Sequence, residues 1–142
     1  MRDKKFNIIV PCFNEQEALP ETIKVLLVEL DSLASLNLIE KDSSKIIFID
    51  DGSNDQTWDI LSKEIKEHKN ISGIKLTKNF GHQNALLAGM LESESDVLIT
   101  IDADLQDDSS VMADMLRDYH KGKEIVYGVR NKRSSDSFFK RK

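Results

Sequence analysis

The sequence contains one cysteine in 142 residues, whereas disulfide-rich and zinc-cluster proteins contain several. A single thiol, Cys12, excludes an intramolecular disulfide and a multi-cysteine zinc site, and it agrees with a reducing compartment. We interpret Cys12 as a small buried side chain rather than as a nucleophile.

Long apolar runs are absent as well. No run approaches the roughly 20 residues that a membrane-spanning helix needs, and no apolar signal core follows the charged residues 1–5. The sequence therefore predicts a protein that starts in the cytosol.

Charge is unevenly distributed along the chain. The net charge is −5, but residues 130–142 contain six lysines and arginines against Asp136 alone, so an acidic body ends in a basic tail. The tail also contains Phe138 and Phe139. It is either a solvated terminus or a segment that meets anionic lipid head groups.

Apolar runs bounded by turn residues alternate with longer amphipathic stretches, without an internal repeat or a Pro/Gly-rich linker. This pattern predicts one α/β domain. Strands are expected over residues 6–10, 46–49, 71–76, 97–101 and 125–129. Helices are expected over residues 19–36, after a cap at Ser53 or Asp55 through 65, over 84–91, and from a cap at Ser109 or Ser110 to about 121, where Gly122 ends the last helix.

Strands that consist of continuous Ile, Val and Leu runs, each followed by a helix, favour a parallel sheet covered on both faces. Ligands of such sheets bind beyond the carboxyl ends of the strands, where the strand order reverses. Three polar segments occupy that edge: residues 11–15, 50–55 and 102–104.

The segment after the first strand, Pro11-Cys-Phe-Asn-Glu15, contains no glycine. It is therefore neither a dinucleotide-binding loop nor a P-loop, which disfavours a nicotinamide cofactor and a Walker-type ATPase. Phe13 either packs against a nucleobase or fills the core. Glu15 either takes part in the site or stabilises the first helical turn.

Asp50 and Asp51 are adjacent carboxylates at the end of the second strand. Gly52 and the hydroxyl residues after it explain a tight turn into a helix, but they leave the two carboxylates unexplained. Their mutual repulsion requires donors, for instance a base N–H or ribose hydroxyls, so we assign Asp51 a binding role.

Asp102 and Asp104 follow the fourth strand, and Gln106, Asp107 and Asp108 come shortly after. An Asp-x-Asp pair alone is a weak signal, because loops are rich in aspartate. So many oxygen ligands at the sheet edge nevertheless favour a hard cation, Mg²⁺ or Mn²⁺. We interpret His82, in the polar loop after the third strand, as a capping or hydrogen-bonded residue rather than a catalyst.

Five segments follow one another along the chain: I-V-P-C-F-N-E, I-D-D-G-S-N-D-Q-T-W, N-F-G-H-Q-N-A, D-A-D-L-Q-D and Y-G-V-R. Together they resemble the nucleotide-sugar domain of family-two inverting glycosyltransferases, over almost the whole chain. The branch that glycosylates polyprenyl phosphates, such as dolichol-phosphate mannose synthases and bactoprenol glucosyltransferases, is the most similar.

The resemblance implies a Rossmann-like GT-A fold, a mostly parallel sheet with helices on both faces, and a set of site residues. A nucleoside would contact Pro11, Phe13, Glu15, Ile49 and Asp51. The ribose, diphosphate and metal would face Asp102, Ala103 and Asp104. The metal ligands would be Asp104 and Gln106, with Asp102 as a secondary ligand. Arg130 would contact phosphate, and Asp104 and Arg130 would be the catalytic residues.

The implied reaction is metal-dependent transfer of a hexose, with inversion, from a UDP- or GDP-sugar to a polyprenyl phosphate in cell-envelope glycan synthesis. A transferase acting on a polysaccharide hydroxyl and a non-catalytic nucleotide-sugar-binding module are the alternatives. We expect no nucleic-acid partner, and homo-oligomerisation stays open.

Enzymes of that family continue beyond Tyr127-Gly-Val-Arg130 with acceptor-side segments, so the chain resembles a fragment. We expect residues 1–129 to form the nucleotide-sugar-binding domain and residues 130–142 to begin the acceptor-side, membrane-proximal part. The full-length enzyme would then act at the cytoplasmic face of the cell membrane. This fragment alone would be soluble and would bind the donor without turning it over.

Overall fold

The computed structural model of the chain describes residues 5–104 and 111–122, together with the backbone of residues 126–130 and 137–141. Four parallel strands form the central sheet in the order β3-β2-β1-β4. They are β1 (Phe6–Cys12), β2 (Lys45–Asp50), β3 (Ile71–Lys75) and β4 (Val97–Thr100). The helices are α1 (Leu19–Ser35), α2 (Thr57–Glu67), α3 (His82–Glu92) and α4 (Met112–His120), with a short 3₁₀ turn at Lys41–Ser43.

The predicted α/β fold with a mostly parallel sheet is confirmed. Over residues 5–104, each predicted strand and helix is present, and its ends lie within two residues of the prediction. β1 is buried along its whole length because it has a neighbouring strand on each side and helices on both faces. This explains why its sequence is apolar except at Asn7.

Alternate residues of the central strands face two different hydrophobic clusters, as the period of a strand requires. The larger cluster joins Phe6, Ile8 and Val10 of β1 to the apolar faces of α1, α2 and α4. The smaller cluster joins Ile9 of β1, Ile47 and Ile49 of β2, and Ala85 of α3. Helix α3 therefore covers one face of the sheet, and α1, α2 and α4 cover the other.

Helix ends confirm only part of the predicted capping, since the N-cap of α2 is Gln56, which makes no side-chain capping bond. Asp55 accepts hydrogen bonds at Oδ1 from the backbone N–H of Thr57 at 2.9 Å and from its hydroxyl at 2.6 Å. Ser53, the other predicted cap, instead accepts from the N–H of Asn14. Gly122 follows α4 with a φ of +101°, as predicted for a terminating glycine. Ser109 and Ser110 lie outside the described residues.

The fifth strand lies within one residue of its predicted bounds, but its pairing departs from the prediction. β5 (Val126–Arg130) pairs with a strand that was not predicted, β6 (Ser137–Arg141), in an antiparallel two-stranded sheet of its own. Lysine and arginine in residues 137–141 led us to interpret this segment as a tail. Aromatic residues such as Phe138 and Phe139 favour strands, so the segment can form one despite its basic residues.

Candidate functional site

The strand order reverses between β1 and β4. The chain moves from β1 outward through β2 to β3, and then crosses by way of α3 to β4 on the other side of β1. A parallel sheet has a crevice where the strand order reverses, beyond the carboxyl ends of the two neighbouring strands. This crevice is the usual ligand site of such sheets. The segments after β1, β2 and β4 meet at this edge.

A cavity of about 400 Å³ lies in this crevice. Seven residues predicted for the site line it, and they come from three separate segments. The lining residues are Pro11, Cys12, Phe13, Glu15, Asp51, Asn79, Gly81, His82, Asp102, Ala103 and Asp104.

Asp51 is buried, with 3 % of its surface exposed, and its donors come from the protein itself. Its Oδ1 accepts from the N–H of Phe80 at 2.8 Å, and its Oδ2 accepts from the N–H of Gly81 at 3.1 Å. The predicted need for donors is therefore met by the loop after β3. Gly52 permits this approach, because a Cβ atom there would lie 2.3 Å from the carbonyl carbon of Lys78.

The neighbouring carboxylate, Asp50, is fully buried. Its Oδ1 accepts from the N–H of Ser53 at 3.1 Å, whereas its Oδ2 has no hydrogen-bond partner among the described residues. Asp50 lies opposite Cys12 in the β1–β2 register. Burial raises the pKa of the Cys12 thiol well above its usual range, and the carboxylates of Glu15 and Asp50 raise it further, which keeps the sulfur protonated and disfavours a nucleophilic role.

The Asp102–Ala103–Asp104 turn is anchored at its middle residue. Ala103 is buried, and its carbonyl accepts a hydrogen bond from the hydroxyl of Thr22, a fully buried residue of α1. Asp102 is half-buried and Asp104 is exposed. Fixing the middle residue to the core allows the two carboxylates on either side to face the cavity.

Glu15 adds a third carboxylate to the acidic end of the cavity. Partial burial raises its pKa, and the negative charges of Asp104, Asp102 and Asp55 raise it further. The excess negative charge here suits a cation or a cation-bound anion.

The three other predicted site residues are Ile49, Gln106 and Arg130, and the structure describes the side chain of Ile49 alone. Ile49 is fully buried in β2, beneath the edge, where it packs against α3. Gln106 lies outside the described residues. Arg130 is the last residue of β5, and its side chain also lies outside the described part.

Sequence reasoning missed the contribution of the loop after β3. His82 was expected to cap or bond locally, but α3 begins at His82 after an N-cap at Gly81 without a side-chain capping bond. Asn79, Gly81 and His82 instead line the cavity. The available signal was positional, since this polar loop follows β3 at the same sheet edge as the acidic segments.

The chain belongs to glycosyltransferase family 2: residues 7–142 match the Glycosyl transferase family 2 domain. It is 52% identical over 136 residues to the uncharacterized glycosyltransferase YkoT of Bacillus subtilis strain 168, covering 94% of this chain and 40% of that protein. It is 35% identical over 138 residues to a prophage bactoprenol glucosyl transferase homolog of Escherichia coli K12, covering 97% of this chain and 43% of that protein. The chain therefore spans less than half the length of these relatives.

Solved structures share the fold. S. aureus TarS 1–349 in complex with UDP matches with a TM-score of 0.58 at 25% identity, covering 70% of this chain and 27% of that one. The mannosyltransferase PcManGT of Pyrobaculum calidifontis, in complex with GDP-Man and Mn²⁺, matches with a TM-score of 0.60 at 20% identity, covering 72% and 28%. The fold is that of the GT-A glycosyltransferases, as the sequence resemblance implied.

Proposed function

We propose that this domain binds a UDP- or GDP-sugar with Mg²⁺ or Mn²⁺ and that the protein it belongs to transfers the hexose, with inversion, to a polyprenyl phosphate. One observation carries the proposal. In a family 2 domain, the carboxylates of Glu15, Asp102 and Asp104 surround one cavity at the point where the strand order reverses.

The donor's nucleoside is assigned to the side of the cavity formed by Pro11, Phe13 and Asp51. Phe13 has 41 % of its surface exposed beside the cavity, which makes its ring available for stacking on a base. Ile49 supports this wall from below. The remaining acceptor capacity of the Asp51 oxygens suits an N–H or a hydroxyl of the nucleoside.

The metal is assigned to Asp102 and Asp104, with Gln106 as a further ligand. Hard cations take carboxylate and amide oxygens, and the residues present fit them. Partial burial, and then the negative charges of Asp104, Asp102 and Asp55, raise the pKa of Glu15, so a cation at this end of the cavity would be favoured electrostatically. When bound, the cation supplies positive charge that offsets the negative charge growing on the departing diphosphate.

The acceptor assignment draws on the bactoprenol glucosyl transferase homolog and on the undecaprenyl-phosphate transferase of Enterobacter that is 33% identical to this chain. A phosphate acceptor is already an anion at neutral pH and needs no general base. Its oxygen forms the bond to the anomeric carbon as the bond to the diphosphate oxygen breaks, and the electron pair leaves with the nucleoside diphosphate. Arg130 is proposed to contact phosphate.

We assign the reaction to the cytoplasmic face of the cell membrane, where the lipid acceptor would be met by the basic segment 130–142 and by residues of the longer protein. Among the described helices, none combines the length and the apolar character needed to cross a bilayer.

Calorimetric titration of the chain with UDP-glucose and GDP-mannose, each in MnCl₂ and in EDTA, tests the donor site. We expect one donor to bind in MnCl₂ and to bind at least tenfold more weakly in EDTA or to Asp104→Asn. Asp59→Asn, an exposed carboxylate on α2, is the matched control and should bind as the wild type does. Absence of metal-dependent binding would overturn the donor site.

Transfer is tested with the bound donor and undecaprenyl phosphate in detergent, using the longer protein, with the lipid product measured by mass spectrometry. Formation of a monophosphate-linked lipid sugar supports the acceptor assignment. Transfer to a glycan hydroxyl alone would replace this assignment with a transferase that acts on a polysaccharide hydroxyl. Donor binding without transfer to either acceptor would replace it with a non-catalytic nucleotide-sugar-binding module.

A further inference from the structure

The loops after β1 and β2 are joined by reciprocal hydrogen bonds, and we name residues 14–16 and 53–57 together the loop clasp. Three backbone N–H groups of the first loop donate to side chains of the second, and two of the second donate to side chains of the first. The bonds are Asn14 N to Ser53 Oγ (2.8 Å), Glu15 N to Thr57 Oγ1 (2.9 Å), Gln16 N to Asp55 Oδ2 (3.3 Å), Asn54 N to Asn14 Oδ1 (2.8 Å) and Gln56 N to Gln16 Oε1 (3.0 Å).

Thr57 is the buried centre of the loop clasp. Its side chain is fully buried, and its hydroxyl accepts from the N–H of Glu15 while donating to Oδ1 of Asp55 at 2.6 Å. Water cannot readily replace a group in this position, so losing the hydroxyl leaves the Glu15 N–H without its acceptor. The other bonds of the clasp lie nearer to solvent.

Asp55 shows the strength of this network. Partial burial acts to raise the pKa of its carboxyl, but hydrogen bonds from the hydroxyl and N–H of Thr57 and from the N–H of Gln16 outweigh burial and lower that pKa below its usual value. The carboxylate therefore stays ionised and continues to accept from Thr57.

The loop clasp sets the positions of two residues that line the cavity. Phe13 and Glu15 flank Asn14, which has a φ of +52° and therefore a left-handed backbone that needs outside support. Phe13 also borders a second cavity, of about 380 Å³, together with Ser53 of the clasp and Lys78 of the loop after β3. A change in the clasp would move both the aromatic wall and the third carboxylate.

We propose that Thr57 is a positioning residue for donor binding, acting through the backbone of Glu15 without touching the ligand. This inference rests on the proposed function, because it concerns how well the cavity accepts a nucleoside diphosphate. It goes beyond that function because it gives the hydroxyl of Thr57, which lies outside the cavity lining, a part in setting the affinity for the donor.

The test uses Thr57→Val, which keeps the β-branched shape and removes the hydroxyl, and Thr57→Ser, which keeps the hydroxyl. The probes are UDP and GDP in MnCl₂, titrated by calorimetry. For the nucleotide that wild type binds, we expect the Kd of Thr57→Val to rise about tenfold and that of Thr57→Ser to stay within threefold. Ser62→Ala, which removes a hydroxyl elsewhere on α2, should leave the Kd unchanged.

Two further readouts separate positioning from a general loss of structure. The amide of Glu15 should exchange with solvent at least tenfold faster in Thr57→Val, while amides of β1 keep their protection. In the transferase assay of the longer protein, the donor KM should rise with the Kd and kcat should stay within threefold.

The possible outcomes are distinct. If wild type binds neither nucleotide, the proposed function fails, and this inference fails with it. If wild type binds and folded Thr57→Val binds equally well, this inference alone is overturned. If Thr57→Val does not fold, Ser53→Ala tests the clasp at Asn14; a Kd raised about threefold supports the inference, and an unchanged Kd overturns it.

Discussion

Asp51 and Phe80 are joined by a hydrogen bond of 2.8 Å from the backbone N–H of Phe80 to the carboxylate, although 29 residues separate them in the sequence. The second oxygen of Asp51 accepts from the N–H of Gly81. One buried carboxylate thus fastens the loop after β3 to the end of β2. Since that loop contributes Asn79, Gly81 and His82 to the cavity, Asp51 shapes the part of the cavity wall that the loop forms.

Replacing Asp51 with asparagine should therefore lower stability as well as ligand affinity. The amide has one acceptor oxygen and places an NH₂ group against a backbone N–H, so we expect the free energy of unfolding to fall by about 2 kcal/mol. Urea denaturation measures this change. Asp59→Asn is the control, expected within about 0.5 kcal/mol of wild type. A stable Asp51→Asn protein that has lost only ligand binding would show that the loop needs no such anchor.

Gly52→Ala should destabilise the protein more than Gly122→Ala, although both glycines have a left-handed backbone. A Cβ added at Gly52 (φ +72°) would lie 2.3 Å from the backbone carbonyl carbon of Lys78. At Gly122 (φ +101°), no atom of the residues that the structure describes lies within 4 Å of that position. Left-handed strain costs about 1–2 kcal/mol at either glycine, and the overlap at Gly52 adds about 1–3 kcal/mol.

Thermal or urea unfolding of the two alanine variants checks this difference. Gly52→Ala should be the less stable protein by at least 1 kcal/mol, a difference that comes from the overlap alone. Equal losses would mean that the loop after β3 moves away without cost, and that its close approach to Gly52 is not required.

The sheet and the edge that bears the site could be predicted because each depends on local pattern. The apolar residues 8–10 of β1 indicate a strand buried on both faces, and the strand-end rule then brings Glu15, Asp51 and Asp104 to one edge. The close packing of α3 on the sheet depends on the small residue Gly89. A Cβ on Gly89 would lie 2.6 Å from side-chain carbons of Ile9 and Ile49.

The partners of Asp51 could not be predicted, because they are backbone amides and any residue type supplies an N–H. The loop clasp escaped prediction for a related reason. Ser53, Asp55 and Thr57 match a helix-capping pattern, and only the folded chain shows that Ser53 and Thr57 serve the neighbouring loop. The pairing of β5 with β6 depends on contacts between segments whose charge pattern indicates a tail.

Glu15→Gln should stabilise the ligand-free domain at neutral pH. The pKa of Glu15 is raised, first by burial and then by Asp104, Asp102 and Asp55. A carboxyl with a raised pKa in the folded state costs no stability below its unfolded value of about 4.3. That cost grows as the pH rises above the unfolded pKa, and it is complete once the pH exceeds the folded pKa.

We expect Glu15→Gln to gain about 0.5 kcal/mol at pH 7 in EDTA, a modest value because Glu15 is partly exposed and solvent screens its neighbours. The gain should shrink at about pH 4, where Glu15 is largely protonated in both states. Urea denaturation at the two pH values measures it, with exposed Glu17→Gln as the matched control. A loss of stability at pH 7, or a gain that does not change with pH, would mean that Glu15 is not repelled by Asp102 and Asp104. A cation at this end of the cavity would then lose its electrostatic support.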